Sequence, residues 1–182
     1  MTIEKTTIED LVIIKPTVFE DSRGCFFEAY NQAKFQENEI NYQFIQDNQS
    51  FSKRGVIRGL HLQINPFAQA KLVRVLEGKI LDVAVDLRKN SPTFGQHFSV
   101  VLSAENKKQL MIPHGFAHGF SVLSETASVL YKVDQVYNKE SERGIRYDDP
   151  TLNIDWQVSP EEVIVSEKDI ILPSFADIDW EF

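Results

Sequence analysis

KLVRVLEGKILDVAVDLR, residues 71–88, is the stretch on which the fold turns. In its second half Leu81, Val83, Val85 and Leu87 alternate with Asp82, Ala84 and Asp86, the period of two expected of a strand with unlike faces. Glu77 and Gly78 interrupt the run and predict a turn between two strands. Working outward, further β-rich runs lie at 98–102, 109–112, 118–123 and 129–133, separated by Pro, Gly, Asn or Ser. Short strands at this spacing indicate a β-sandwich or barrel. Helical pattern is confined to 31–40, where Phe35 and Ile40 can dock on a sheet, and to a short piece at 160–163. The reading is one mainly β domain over residues 1–182, a barrel or sandwich with a few short peripheral helices. In such a fold, polar residues two apart on several strands converge inside.

The chain has 182 residues, which suits a single domain, with 27 acidic against 19 basic side chains and a net charge of −8. That balance argues against nucleic acid as a partner and offers no basic face to an anionic membrane. It leaves room for a local basic pocket holding one phosphorylated small molecule. A single cysteine, Cys25, permits neither an internal disulfide nor a Cys-rich zinc site, which fits a reducing compartment. The opening MTIEKTTIED has no apolar run, and none elsewhere is long enough to span a bilayer, so a soluble, cytoplasmic protein is expected. Thirteen Phe point to a wide core or an aromatic-lined cavity. The acidic end, Asp177, Asp179 and Glu181 beside Trp180 and Phe182, reads as a solvated or docking tail.

Of the four histidines, His97 and His114 read as structural. His118 ends IPHGFAH, which has the P-x-G-x-x-H shape of the later cupin motif. His61 ends GVIRGLH. A metal-binding cupin would supply a second His two residues after His61 and a Glu shortly beyond, because a metal needs three or more converging protein ligands. Here Gln63, Ile64, Asn65 and Pro66 stand instead, so no metal and no cofactor are expected and His61 is free for acid–base work. Arg58 and Lys71 interrupt the strand pattern nearby, Arg23 and Glu28 flank two Phe in DSRGCFFEAY, and FIQDNQS presents Gln46 and Asn48 at strand spacing. Read alone, these are either ligand contacts or a solvated edge.

The segments DSRGCFFE, FIQDNQSFS, GVIRGLH, QAKLVRVLEG, DVAVDLR, SPTFG, LSAENKKQLMIPHGFAHGFSVLSE, YKV and SEKD occur in the order typical of dTDP-4-dehydrorhamnose 3,5-epimerases, and the chain resembles that family over nearly its whole length. The resemblance implies a cupin-like jelly-roll barrel, a metal-free homodimer, and inversion of carbons 3 and 5 of dTDP-4-dehydro-6-deoxy-glucose, both of which flank the C4 ketone. By motif it makes His61 the base, Asp169 of SEKD its orienting carboxylate, Lys71 the cation at the ketone oxygen and Tyr131 the acid on the opposite face. His118 falls beside the sugar. Arg23, Glu28, Gln46, Asn48 and Arg58 fall in motifs that contact the nucleotide, with Tyr137 and Lys168 as further contacts. The N-terminal part of one subunit completes its partner's site, which places Arg23 and Glu28 across an interface.

Three positions depart from the family pattern: Leu62 and Val136 stand where aromatics are common, and Gln157 where Pro is common. None removes a catalytic group. An epimerase of one carbon only, or a sugar-nucleotide binding module without turnover, would carry the same motifs.

Overall fold

The computed structural model describes residues 1–182. Its strands are β1 (Thr2–Lys5), β2 (Val12–Lys15), β3 (Val18–Asp21), β4 (Gly24–Phe27), β5 (Gln46–Lys53), β6 (Ile57–Gln63), β7 (Lys71–Glu77), β8 (Lys79–Asp86), β9 (His97–Ser103), β10 (Gln109–Ile112), β11 (Phe116–Val122), β12 (Thr126–Val133) and β13 (Glu142–Gly144). Helix α1 is Gln32–Glu37 and α2 is Glu167–Ile170, with 3-10 turns at Pro160–Glu162 and Phe175–Asp177. A six-stranded sheet, β1-β2-β10-β7-β12-β5, faces a five-stranded one, β13-β6-β11-β8-β9, and β3-β4 forms a separate hairpin. This is the cupin-like β architecture expected.

Alternation assigns each side chain a layer. Val73, Val75, Leu110 and Val129 of the first sheet meet Ile80, Ala84, Phe116 and Phe120 of the second in the central core. The opposite face of β8 carries Leu81, Val83 and Val85 against Ile145, Leu152 and Trp156 from the chain that follows β13. On the outside of the six-stranded sheet, Phe35 and Ile40 pack on Ile14, Leu72 and Met111. Both sheets are thus covered on their outer faces, each buried Leu, Ile, Val or Phe contributing about 1.5–3 kcal/mol.

Several sequence expectations are refined. The Glu77-Gly78 turn is a corner: β7 and β8 belong to different sheets, so the chain crosses from one layer to the other at Gly78. Only glycine fits there, with φ +77° and no room for a side chain, since a Cβ at this position would lie 2.0 Å from the Thr126 carbonyl oxygen. Helix α1 is shorter than 31–40. Asn31 caps it, its side-chain oxygen accepting from the Lys34 N–H at 3.3 Å, while Phe35 and Ile40 dock as anticipated. The piece at 160–163 is a single 3-10 turn. Beyond it the acidic end docks rather than trailing in solvent, because Ile178, Trp180 and Phe182 pack on the outer cluster of the five-stranded sheet. No helix is long and apolar enough to cross a membrane.

Candidate active site

The inner faces of both sheets deliver the chemistry-bearing side chains to one cavity of about 530 Å³. His61 on β6 lies directly across the ladder from His118 on β11. Lys71 on β7 and Tyr131 on β12 reach in from the facing sheet. Asp169 arrives on α2, whose start is capped by Ser166, the hydroxyl accepting from the Asp169 N–H at 3.2 Å. Gly59 lets β6 and β11 approach closely just before His61: its φ is +109°, and a Cβ there would sit 2.6 Å from both the Gly119 Cα and the His118 carbonyl oxygen.

Asp169 Oδ1 lies 2.6 Å from His61 Nε2, and the Gly59 N–H approaches its other oxygen at 3.5 Å. Burial pushes this carboxyl up. The His61 hydrogen bond and charge, with the Gly59 and Ser166 contacts, outweigh it and leave the group below its ordinary value, so it is an anion at neutral pH. An anion there favours a proton on Nε2 of His61, which leaves Nδ1 with the lone pair a base requires.

Lys71 is buried, and its ammonium donates to the His61 carbonyl at 3.2 Å. Burial brings it down to about 8, while the charges of Asp82 and Glu142 hold it from falling further. Asp82 Oδ1 lies 2.8 Å from His118 Nε2, and its Oδ2 is buried without a hydrogen-bond partner. Burial lowers His118 as well, more than Asp82 raises it, with Lys71 and His61 adding to the depression. His118 is therefore a neutral donor to Asp82 at pH 7. The Tyr131 phenol is pushed up by burial against a smaller opposing effect of Arg58, so it keeps its proton.

A smaller adjoining cavity of about 240 Å³ shares His61, Lys71 and Tyr131 and adds Gln46, Asn48 and Tyr137. Gln46 Nε2 donates to Asn48 Oδ1 at 2.8 Å. Arg58 Nε donates to Ser52 Oγ at 3.0 Å, and Arg58 and Lys168 both line the larger cavity. Ten of the twelve residues singled out in the sequence thus line one or both of these adjoining cavities. Arg23 and Glu28 do not. Arg23 sits on the β3-β4 hairpin paired with Asp21 at 2.6 Å, and Glu28 binds Asn31 and Lys34. That hairpin exposes Phe19 and Phe26, at 65% and 71%.

Sequence reasoning passed over Glu142 and Asp82 as site residues. Glu142 accepts from the Tyr137 hydroxyl at 2.9 Å and from Lys168 Nζ at 2.7 Å, joining two contacts the sequence did name. It sits on the three-residue strand β13, too short to register as a pattern. Asp82 had a signal in the alternation of DVAVD, which sets it on the face opposite Leu81 and Val83. Gln63, at the position of the missing metal ligand, instead ties down a loop: its amide donates to the Phe67 and Val136 carbonyls, and its oxygen accepts from the Asn138 N–H. No group of three or more His, Cys, Asp or Glu side chains is arranged to hold a metal ion. Leu62 is buried in the outer cluster and also touches the smaller cavity, whereas Val136 is exposed.

A histidine–aspartate pair, a buried ammonium and a protonated phenol around one cavity between two β-sheets define a cupin-like acid–base enzyme for a small molecule. The chain belongs to the dTDP-4-dehydrorhamnose 3,5-epimerase family, whose model matches residues 5–177. It is a carbohydrate epimerase, with the 3,5-epimerisation from which the family takes its description. It is 51% identical to the dTDP-4-dehydrorhamnose 3,5-epimerase of Shigella flexneri over 99% of each chain. The crystal structure of the same enzyme from Elizabethkingia anophelis superposes with a TM-score of 0.95 at 55% identity, covering 99% of both chains. That of the dTDP-6-deoxy-D-glucose-3,5-epimerase of Legionella pneumophila, in complex with dTDP-4-keto-L-rhamnose, gives 0.94 at 48% identity over 98% of this chain and 94% of that one.

Proposed function

We propose that the epimerisation of dTDP-4-dehydro-6-deoxy-glucose runs through an enolate formed by His61 and held by Lys71, with Tyr131 returning the proton. The observation that carries this reading is that base and acid come from facing sheets. His61 belongs to the five-stranded sheet and Tyr131 to the six-stranded one, and inversion needs proton transfer on opposite faces of the sugar. His61 Nδ1 takes the proton from C3 or C5, and Asp169 stabilises the imidazolium that results. Electron density moves onto the C4 ketone oxygen. Each pKa unit by which the carbon acid is weaker than imidazolium costs about 1.4 kcal/mol. An ammonium at the developing oxyanion offsets about 3 kcal/mol of that. Lys71, mostly protonated at pH 7, is placed to supply it. Tyr131 then protonates the carbon from the other side, and once the imidazolium has given its proton to solvent and the phenolate has regained one, the same groups serve the second carbon, adjacent to the same ketone.

His118, held by Asp82, orients the sugar. The nucleotide lies along Arg58, Gln46, Asn48, Tyr137 and Lys168, where Arg offers phosphate oxygens a two-pronged donor. Arg23 and Glu28 act from the second subunit of a homodimer, a reading supported by their distance from their own cavity and by the exposed phenylalanines of the hairpin. The one exposed cysteine suits a reducing cytoplasm.

The test is incubation with dTDP-4-dehydro-6-deoxy-glucose in heavy water, following label at each carbon by NMR and mass spectrometry. Deuterium at both C3 and C5 with formation of the L-sugar is expected, and label at one carbon only would reduce the activity to a mono-epimerase. His61→Ala should lose about a thousandfold in rate, the scale of a general base, while still binding dTDP. Loss of dTDP binding in that variant would mean that His61 serves recognition instead.

A further inference from the structure

Lys71 takes the first paired position of β7, opposite Ile112 of β10 and Val133 of β12. One step beyond that row the ladder stops and three segments leave the sheet side by side: Ala70 before β7, Asp134 after β12, and Pro113 with His114 after β10. Ala70 is wholly buried, so its N–H needs an acceptor. No strand carbonyl supplies one. It donates instead to Asp134 Oδ1 at 2.7 Å, while Asp134 Oδ2 meets His114 Nε2 at 2.8 Å. Gln69 reinforces the same junction, its amide donating to the Gln135 carbonyl at 2.7 Å. One carboxylate therefore laces three neighbouring strand ends together, immediately beside the residue assigned to the ketone oxygen. The side chain of Asp134 is 12% exposed and that of His114 40%, and neither lines a cavity, so of this junction only Gln69 reaches the smaller cavity.

The carboxylates whose charge reaches Lys71 are Asp82 and Glu142. What Asp134 contributes is geometry. We propose that Asp134, through its bonds to the Ala70 N–H and to His114, is a positioning residue that fixes where the Lys71 ammonium stands over the substrate's ketone oxygen. The proposal rests on the role given to Lys71 above. Stabilisation of a developing oxyanion depends steeply on where the donor sits, so a small shift at the start of β7 lowers turnover more than it lowers binding.

The experiment is a double-mutant cycle in the heavy-water assay, using Asp134→Ala, Asp134→Asn, Lys71→Ala and the pairs. Asp134→Ala should lower kcat about tenfold and leave KM within about twofold. Asp134→Asn, which keeps an oxygen for the Ala70 N–H, should recover most of the rate with the wild-type alkaline limb. In the Lys71→Ala background Asp134→Ala should cost little more, because no ammonium remains to be misplaced. Equal losses in both backgrounds would make Asp134 a structural residue and overturn the proposal, as would full activity of Asp134→Ala. Should Asp134→Ala not fold, His114→Phe removes one arm of the lacing and is held to the same criterion, a loss that needs Lys71. A wild-type chain without turnover on this substrate is a separate failure, visible before any variant is assayed, and it removes the mechanism and this proposal together.

Discussion

The role proposed for Lys71 requires it to hold a proton in a place where holding one is expensive. Its fall from the ordinary 10.5 to about 8 corresponds to a net cost of roughly 3 kcal/mol, burial less the help of Asp82 and Glu142. The unfolded chain keeps the proton up to about 10.5 and the folded chain releases it near 8, so the cost is present in full below 8 and fades as pH rises between the two values. Lys71→Met should accordingly lose about a hundredfold in rate, the worth of one oxyanion contact, yet be more stable than wild type at pH 7, by about 1–3 kcal/mol in denaturant unfolding. On the proposed mechanism activity has the opposite pH dependence, since the enolate needs the cation. The rate should fall as pH rises through about 8. Asp82→Asn removes a charge that raises Lys71 and should move this alkaline limb to lower pH in a pH–rate profile; an unmoved limb would assign the limb to another group. At this scale the motifs named His61, Lys71, Tyr131 and Asp169, but the groups that tune them were only partly legible. Asp82 shows in its strand's alternation. Glu142 and the His114–Asp134 pair show only once distant strands are side by side.

At the scale of elements, alternation at 81–87 and the Glu77-Gly78 interruption marked two strands and the break between them, because period two and turn chemistry are local properties of the chain. Which sheet each strand joins is not local. The corner at Gly78 looks like a hairpin in sequence, and only the sheet order, with β7 and β8 in different layers, marks it as a crossing. Gly78→Ala should therefore be costly, combining a left-handed backbone with a clash against main chain, for about 3 kcal/mol lost in chemical denaturation. A loss under about 1 kcal/mol would show that the corner can relax. The shortest elements were the least legible. Strand β13 has three residues and α2 has four, and each places a site carboxylate, Glu142 and Asp169, whose position depends on docking and not on propensity.

For the whole molecule, the separation of Arg23 and Glu28 from their own cavity gives the dimer proposal a direct test. If they serve the partner's site, mixing inactive Arg23→Ala with inactive His61→Ala and allowing subunits to exchange creates one undamaged site in each mixed dimer. Recovery of about a quarter of wild-type activity is expected from random pairing. No recovery after proven exchange would return both residues to their own chain. The sandwich class was legible in the sequence because every layer needs its own apolar stripe, whereas Trp180 and Phe182 among acidic neighbours left docking and solvation equally open, and the structure docks them.

His61 and Asp169 touch across 108 residues of chain, and the carboxylate rides on the segment that follows β13 and packs over the five-stranded sheet. Contacts of such sequence separation form late, because the loop they close must be ordered first. Return of catalysis during refolding should then lag behind recovery of β-sheet circular dichroism and keep pace with the fluorescence of Trp156 and Trp180. Turnover becomes a clock for the final docking step, and a newly made chain stays chemically silent until its last forty or so residues have found the barrel.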